Sequence, residues 1–448
     1  METINREKEA VLEKSKKDGV KFVDLQFTDL FGSIKSVTIP VEFLGESLEK
    51  GTWFDGSSIE GFTRICESDM YLMPDPTSYA VVPWKIIESG STARMMCDVY
   101  TSDGKPFEGD PRYILKRVMK EAEEAGYYYN TGPELEFFLF KSDDGTIKAM
   151  PHDNGGYFDL TMDQGYGVRR DMILALERLG IQVEMSHHEV AEGQHEIDFK
   201  YGGALRTADN AITLKYAFKA IANMHGLHAS FMPKPIFGIN GSGMHVHQSL
   251  FDKKGNNTFF DAEDSYKLSA VAKGFIAGQL EHVREMSAVL APTVNSYKRL
   301  VPGYEAPVYI CWGQKNRSAL IRVPRYSPGR EKATRAELRC PDPSCNPYLA
   351  FAVMLSAGLD GVKRKLKLPE PVNEDVYEFD DAKLEKHYIK TLPGSLGEAL
   401  DEMKKSKIVK ETLGSHAYEQ FIRNKTVEWD EYRIAVTDWE INRYLEVL

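Results

Sequence analysis

Two glutamates stand two residues apart in PELEFFLF, at Glu134 and Glu136. A strand with this pattern turns both carboxylates to one face, roughly 7 Å apart. Leu135, Phe137 and Leu139 then occupy the other face. Ionised carboxylates in so apolar a strand are costly unless something positive joins them, and no Lys or Arg occurs between Tyr127 and Phe140. Taken alone, the segment also fits an edge strand with one solvated face. A second acidic group lies in HHEVAEGQHEIDF, where Gly193 bends the chain between Glu189 and Glu196. In NGSGMHVHQSLF, His245 and His247 alternate onto one face behind a Gly-rich loop, and Ser249 follows on that face. Taken jointly, these segments offer several oxygen ligands and at least one imidazole. That set suits Mg²⁺ or Mn²⁺ better than zinc, which takes more His and Cys.

Between residues 299 and 339 the chain carries Arg299, Arg317, Arg322, Arg325, Arg330, Arg335 and Arg339, with Lys298, Lys315 and Lys332. Arginine's rigid fork grips carboxylate and phosphate bidentately. Some of these residues also fit a solvated or inter-subunit face. Metal-binding carboxylates beside such an arginine set are the equipment of phosphoryl transfer. No G-x-x-x-x-G-K-[ST] loop and no kinase H-R-D or D-F-G set accompanies them. The residues alone point to a metal-dependent phosphoryl-transfer enzyme or ligase without a standard nucleotide fold.

The elements that must position these groups fall into two units. Residues 4–18 read as an amphipathic helix ending near Gly19. KFVDLQFTD and SIKSVTIP, parted by Leu30, Phe31 and Gly32, read as a hairpin. GTWFDGSSIEGF, rich in Gly and Ser, reads as a loop around Asp55, and YAVVPW and ARMMCDVY read as strands. TSDGKPFEGDPR is the linker candidate, and Asp110-Pro111 caps a helix closed by Gly126. Strands and helices then alternate to the end. The expectation is a small domain over 1–104 and a large mixed α/β domain over 105–448.

Composition narrows the class. The 448 residues are 42% hydrophobic and 27% charged, enough for a sizeable core. The longest apolar run, Tyr348 to Leu359, is far shorter than the ~18 residues of a membrane span. The charged N-terminus shows no signal peptide. Five cysteines without a C-x-x-C pair read as reduced thiols of a cytoplasmic protein. A net charge of −11 argues against nucleic acid and anionic membranes as partners.

FDGSSIEGF, PELEFF, HHEVAEGQHE, NGSGMHVHQSL, NSYKRLVPGYEAPV, NRSALIRVP and RAELRCPDPSCNPYLA follow one another in this order. The chain thereby resembles the class I glutamine synthetases of bacteria and archaea over essentially its whole length. The resemblance implies an α+β fold, with an N-terminal β-grasp-like domain and a catalytic domain built on a curved antiparallel sheet. It implies one metal held by Glu136, Glu189 and Glu196 and a second by Glu134, His245 and Glu337, two or more Mg²⁺ or Mn²⁺ ions per site. Asn240, Gly241, Arg299 and Arg339 would hold substrate glutamate, with Arg317 near the reacting carboxyl and phosphoryl groups. Glu184, Tyr201, His247, Ser249, Arg322 and Lys332 would line the ATP site. Glu305 matches a flap acid that shields the intermediate, and Asp55 an acid lent by the neighbouring subunit for ammonium deprotonation.

The implied reaction is ATP-dependent ligation of ammonia to glutamate through γ-glutamyl phosphate. The implied assembly is a homododecamer of two stacked hexamers, with a PII-type nitrogen regulatory protein as a partner. Arg64 matches a position tied to glutamine feedback in some relatives, and an ordinary salt-bridged arginine fits it equally. EPVNEDVYEFDD around Tyr377 lacks the N-L-Y-D-L-P context of members controlled by adenylylation, so the chain resembles the subtype without it. The rival readings are a ligase joining glutamate to a polyamine or small amine, and a non-catalytic regulatory relative. The presence of Asp55, Glu305 and the six metal positions opposes both.

Overall fold

The computed structural model describes residues 2–59, 61, 69–143, 146–316 and 318–448; Arg64, Cys66 and Arg317 lie outside the described residues. After an N-terminal helix, Glu2–Lys17, come β1 (Val20–Thr28), β2 (Ile34–Pro40), β3 (Thr52–Asp55), β4 (Asp69–Pro74), β5 (Ala80–Ile87) and β6 (Gly90–Thr101). They form a six-stranded sheet in the order β2-β1-β6-β4-β3, with β5 on β6. The hairpin expected at residues 21–40 is present. Its turn is held by Asp29, whose Oδ1 accepts from the backbone N of Phe31 (3.0 Å) and Ser33 (2.9 Å). β1 and β6 run parallel while the other pairs are antiparallel. The loop expected across residues 51–62 needs correction. Thr52–Asp55 is a strand paired to β4, because Trp53 and Phe54 outweigh their Gly and Ser flanks once a partner strand is supplied.

Ten further strands build the large sheet. They are β7 (Tyr128–Asp143), β8 (Thr146–Pro151), β9 (Val183–His188), β10 (Gln194–Phe199), β11 (Gly202–Gly203), β12 (Leu227–Ser230), β13 (Met244–Phe251), β14 (Tyr309–Gly313), β15 (Ala319–Arg322) and β16 (Ala336–Leu338). The order is β14-β15-β16-β13-β7-β10-β9, with β8, β11 and β12 also on β7. The long β7 is therefore the spine, and its neighbours run antiparallel to it. A sheet of this width curls as strand twist accumulates. One face is covered by helices, among them Ala204–Met224, Ala270–Leu290 and Pro347–Arg364, whose buried side chains merge with Leu135, Phe137 and Leu139 in one core. The other face carries the chemistry. Cys97, Cys311, Cys340 and Cys345 are unpaired and buried. No helix among the described residues is long and apolar enough to cross a membrane.

Helices Ala270–Leu290 and Pro347–Arg364 meet backbone to backbone. A Cβ on Gly278 would sit 2.1 Å from Ala357 O, and one on Gly361 would sit 2.1 Å from Gly274 O. Nothing there can yield, since the colliding atoms are main chain. Gly278→Ala is expected to push the helices apart and destabilise the fold by about 1–3 kcal/mol, read as a lower urea midpoint. An unchanged midpoint would show that the crossing has slack.

Candidate active site

Strand register assembles the site as rows of opposed residues on the exposed face of the sheet. Between β7 and β10, Glu136 faces Glu196 and Glu134 faces Asp198. Between β10 and β9, Glu196 faces His187. Between β7 and β13, Glu134 faces His245; between β13 and β16, His247 faces Glu337; and between β15 and β16, Arg322 faces Glu337. Like charges directly opposed on neighbouring strands repel, so this face stores negative charge in one place.

The imidazoles have defined roles. Arg335 Nε donates to His247 Nδ1 at 3.0 Å, which leaves the proton on Nε2, and Nε2 donates to Glu134 Oε1 at 2.7 Å. His245 Nδ1 lies 3.5 Å from Glu134 and 3.8 Å from Glu337. Glu337 is fully buried, with Arg339 Nη1 at 2.6 Å and Arg322 Nη1 at 2.8 Å. Burial opposes ionisation of Glu134, but the hydrogen bonds from His245 and His247 outweigh it and hold the carboxyl well below its usual range. Burial is likewise overcome at Glu337 by His247, Arg339, His245 and Arg322, which lower it.

The neighbouring acids are in the opposite condition. Burial, then the charge of Glu189, push Glu136 up to about 8, although it accepts from Gln194 Nε2 (3.0 Å) and Gly243 N (2.9 Å). Burial, then Asp198 and Glu136, raise Glu196 well above the carboxylate range. His187 Nδ1 donates to the carbonyl of His188 at 3.1 Å, and its Nε2 lies 3.3 Å from Glu196 Oε2. Ligand atoms of His187, Glu189 and Glu196 lie within 4.8 Å of one another, as do those of Glu134, His247 and Glu337. Crowded carboxylate oxygens with imidazole nitrogens among them fit divalent cations.

Behind the 189–196 loop a buried polar nest fixes its shape. Asp153 Oδ1 accepts from Gly193 N (3.1 Å) and from His188 Nε2 (3.0 Å). Gly193 has φ +68°, and a Cβ there would press on Leu139 O and His152 N at 3.2 Å. The bend between Glu189 and Glu196 is thus reserved for glycine.

The arginines split by position. Arg299 is buried beside Gly241 and Gly243 and donates to the carbonyls of Arg339 (3.1 Å), Cys340 (3.0 Å) and Pro341 (3.3 Å). Gly241 O accepts from Gln194 Nε2 at 3.1 Å, tying the Asn240–Gly241 loop to the acid cluster. Next to Glu134 opens a cavity of about 410 Å³, lined among others by Glu184, Tyr201, His247, Ser249, Lys332 and Arg335. Two expected site residues are exposed in this chain. Asp55 is exposed at the end of β3 in the other sheet, where its carboxylate accepts from Ser57 N at 2.8 Å. Glu305 lies on an exposed loop with φ +58°. His187, Asp198 and Gln194 carry no role in the sequence analysis, and Arg335 stands there only as one of the arginine run. The first two continue the alternation of Glu189 and Glu196 and were within its reach, whereas the partners of Gln194 and Arg335 exist only in three dimensions.

A curled sheet that gathers carboxylates and imidazoles on one face, with arginines and a 410 Å³ cavity beside them, has the groups to bind anionic substrates and to hold divalent cations. Comparison with known proteins narrows this. Residues 19–102 match the family described as glutamine synthetase, beta-Grasp domain, and residues 108–444 match glutamine synthetase, catalytic domain. The chain is 55% identical over 443 residues to the glutamine synthetase of Methanosarcina mazei and 52% identical over 444 residues to that of Thermus thermophilus, covering 98% of each chain in both cases. Among solved structures it is similar to GmaS in complex with ADP, with a TM-score of 0.87 at 31% identity over 97% of this chain and 99% of that one. The chain belongs to the glutamine synthetase family, the glutamate–ammonia ligases.

Proposed function

We propose that this chain makes L-glutamine from L-glutamate, ammonia and ATP through γ-glutamyl phosphate, releasing ADP and phosphate. The observation that carries the reading is the juxtaposition of the acid and imidazole rows, the buried arginines and the 410 Å³ cavity. The cavity takes ATP, with Glu184, Tyr201, His247, Ser249 and Lys332 on its walls, and Arg322 receives its phosphates. Glutamate lies along Asn240 and Gly241, its carboxylates held by Arg299 and Arg339, with Arg317 toward the transferred phosphoryl group. Glu136, Glu189 and Glu196, joined by His187, hold one cation; Glu134, His245 and Glu337 hold another, Mg²⁺ or Mn²⁺. Bound there, the cations neutralise phosphate charge, so that one anion can attack another.

The chain's own residues do the rest. Arginine forks fix the attacking carboxylate in line with the phosphoryl group, converting a bimolecular encounter into a positioned one. Glu305 and its loop exclude water from the acyl phosphate, which water would otherwise destroy. Asp55 comes from a neighbouring subunit and takes a proton from ammonium, consistent with its place in the other sheet and its exposure in a single chain. That requirement supports an oligomer, and a homododecamer of two stacked hexamers is the assembly we propose. The division into domains at 1–104 and 105–448, a cytoplasmic location, Arg64 as a feedback position and a PII-type regulatory partner belong to the same reading.

The test is phosphate release from purified protein with ATP, Mg²⁺ and glutamate, with and without ammonium. Ammonium-dependent phosphate matched mole for mole by glutamine is the expected result. Phosphate that responds to a polyamine or methylamine and ignores ammonium would move the chain to an amine ligase.

A further inference from the structure

Glu305 has a backbone that an L-residue adopts only under constraint, φ +58° on an exposed loop. Such a conformation persists where neighbours over-determine it, and the neighbours are identifiable. On one side, the Lys234 ammonium sits 3.8 Å from the ring centroid of Tyr304 while its Nζ also donates to Ile239 O. On the other side, the Tyr377 hydroxyl donates to Ala306 O at 2.6 Å. Glu305 is thus held between two pins, one on each adjacent residue.

Tyr377 is itself rigidly placed. Its backbone N donates to Asp375 Oδ1 at 3.0 Å, capping the short helix Val376–Glu378, and Val376 is fully buried. The same segment grips the loop on either side of position 317. Asn316 Nδ2 donates to Val372 O (3.2 Å) and Glu374 O (2.7 Å), Gln314 N donates to Asn373 Oδ1 (3.2 Å), and Val376 N donates to Ser318 Oγ (3.1 Å). Residues 372–378 are therefore a strap that fastens two loops of the site to each other, although neither loop is near the strap in sequence.

We infer that Tyr377 is a positioning residue: its hydroxyl, through Ala306 O, holds Glu305 in the strained conformation that closes the site over the acyl phosphate. The inference rests on the proposed reaction for its catalytic consequence and on the hydrogen bond alone for its structural one. Without the hydroxyl, the loop relaxes, water reaches the acyl phosphate, and phosphate is released without glutamine. Substrate and cation sites on the sheet lie on other elements and keep their affinity.

The test is Tyr377→Phe, which removes one oxygen from a side chain whose ring still packs against Tyr309. Hydrogen exchange read by mass spectrometry in peptides covering 300–308 should quicken about three- to tenfold, the loss expected for one well-made hydrogen bond, with β7 and β13 protected as in the parent. In the same preparation kcat/KM for ammonium should fall by a similar factor and the glutamine-to-phosphate ratio should drop below one, while KM for ATP stays unchanged. Exchange in 300–308 identical to the parent would overturn the inference whether or not the enzyme turns over. Faster exchange with an unaltered glutamine-to-phosphate ratio would overturn the catalytic role. A parent protein that makes no glutamine at all would defeat the proposed function instead, and the exchange arm would still decide the tether.

Discussion

Glu136→Ala is expected to abolish cation uptake at the Glu136, Glu189 and Glu196 group and to cut glutamine formation by about 10³-fold, equivalent to ~4 kcal/mol of transition-state stabilisation. The sign of its pH dependence follows from the site's charge. In the cation-free protein burial and Glu189 push Glu136 up to about 8, against an ordinary 4.5. At pH 7 it therefore holds a proton that a cation must displace. Mn²⁺ affinity should rise with pH up to about 8 and then level, and calorimetry in two buffers of different ionisation enthalpy should show proton release on binding. The protonated carboxyl also ties stability to pH. Because the folded value lies above the unfolded one, its contribution is present below pH 4.5 and lost as pH rises through about 8, since the native state binds more protons in that window. Cation-free protein should accordingly lose stability between about pH 4.5 and 8 and level off above that, and Mn²⁺ should restore it. In Glu136→Ala both the proton release and the pH-dependent loss should shrink. Proton release equal to that of the parent would remove Glu136 from the binding group.

Local pattern made much of this site legible. Alternation placed Glu134 with Glu136 and His245 with His247 on common strand faces, and β7 and β13 carry them so. The cap expected at Asp110, where Pro follows, is present, and its side chain accepts the backbone N–H of Arg112. What escaped is non-local. That Glu136 faces Glu196 and Glu134 faces Asp198 depends on the register of strands more than 50 residues apart, which no window of sequence encodes. The parallel pairing of β1 with β6, the strap at 372–378 and the role of Arg335 beside His247 are of the same kind. The misread strand at Thr52–Asp55 is the converse: its four residues are bounded by turn formers, and only the partner β4 makes it a strand. Family resemblance supplied ligand sets that periodicity alone could not. It did not supply His187, which enters the acid group through alternation and register.

Arg112→Ala is expected to destabilise the protein by about 3–5 kcal/mol, although Arg112 belongs neither to the cavity lining nor to the acid groups. The side chain is 2% exposed, at the start of the helix Pro111–Glu124. Its guanidinium meets Asp209 at 3.0 Å, Asp98 at 2.6 Å and Asp75 at 2.6 Å. Asp75 and Asp98 belong to the N-terminal sheet region, while Asp209, which also accepts from Tyr348 Oη at 2.6 Å, lies on Ala204–Met224 beneath the large sheet. One buried cation therefore joins the two halves of the chain, and its removal leaves carboxylates facing one another in a medium that solvates them poorly. Arg112→Lys should recover little, because an ammonium lacks the fork that reaches three acids in different directions. Adding Asp209→Asn to Arg112→Ala should cost less than the sum of the single changes, since the second removes a charge that the first left unpaired. Urea unfolding of the two single variants and the double variant measures this coupling. Strict additivity would show that the contacts are geometric neighbours without mutual dependence, and that the two domains are joined chiefly by apolar packing.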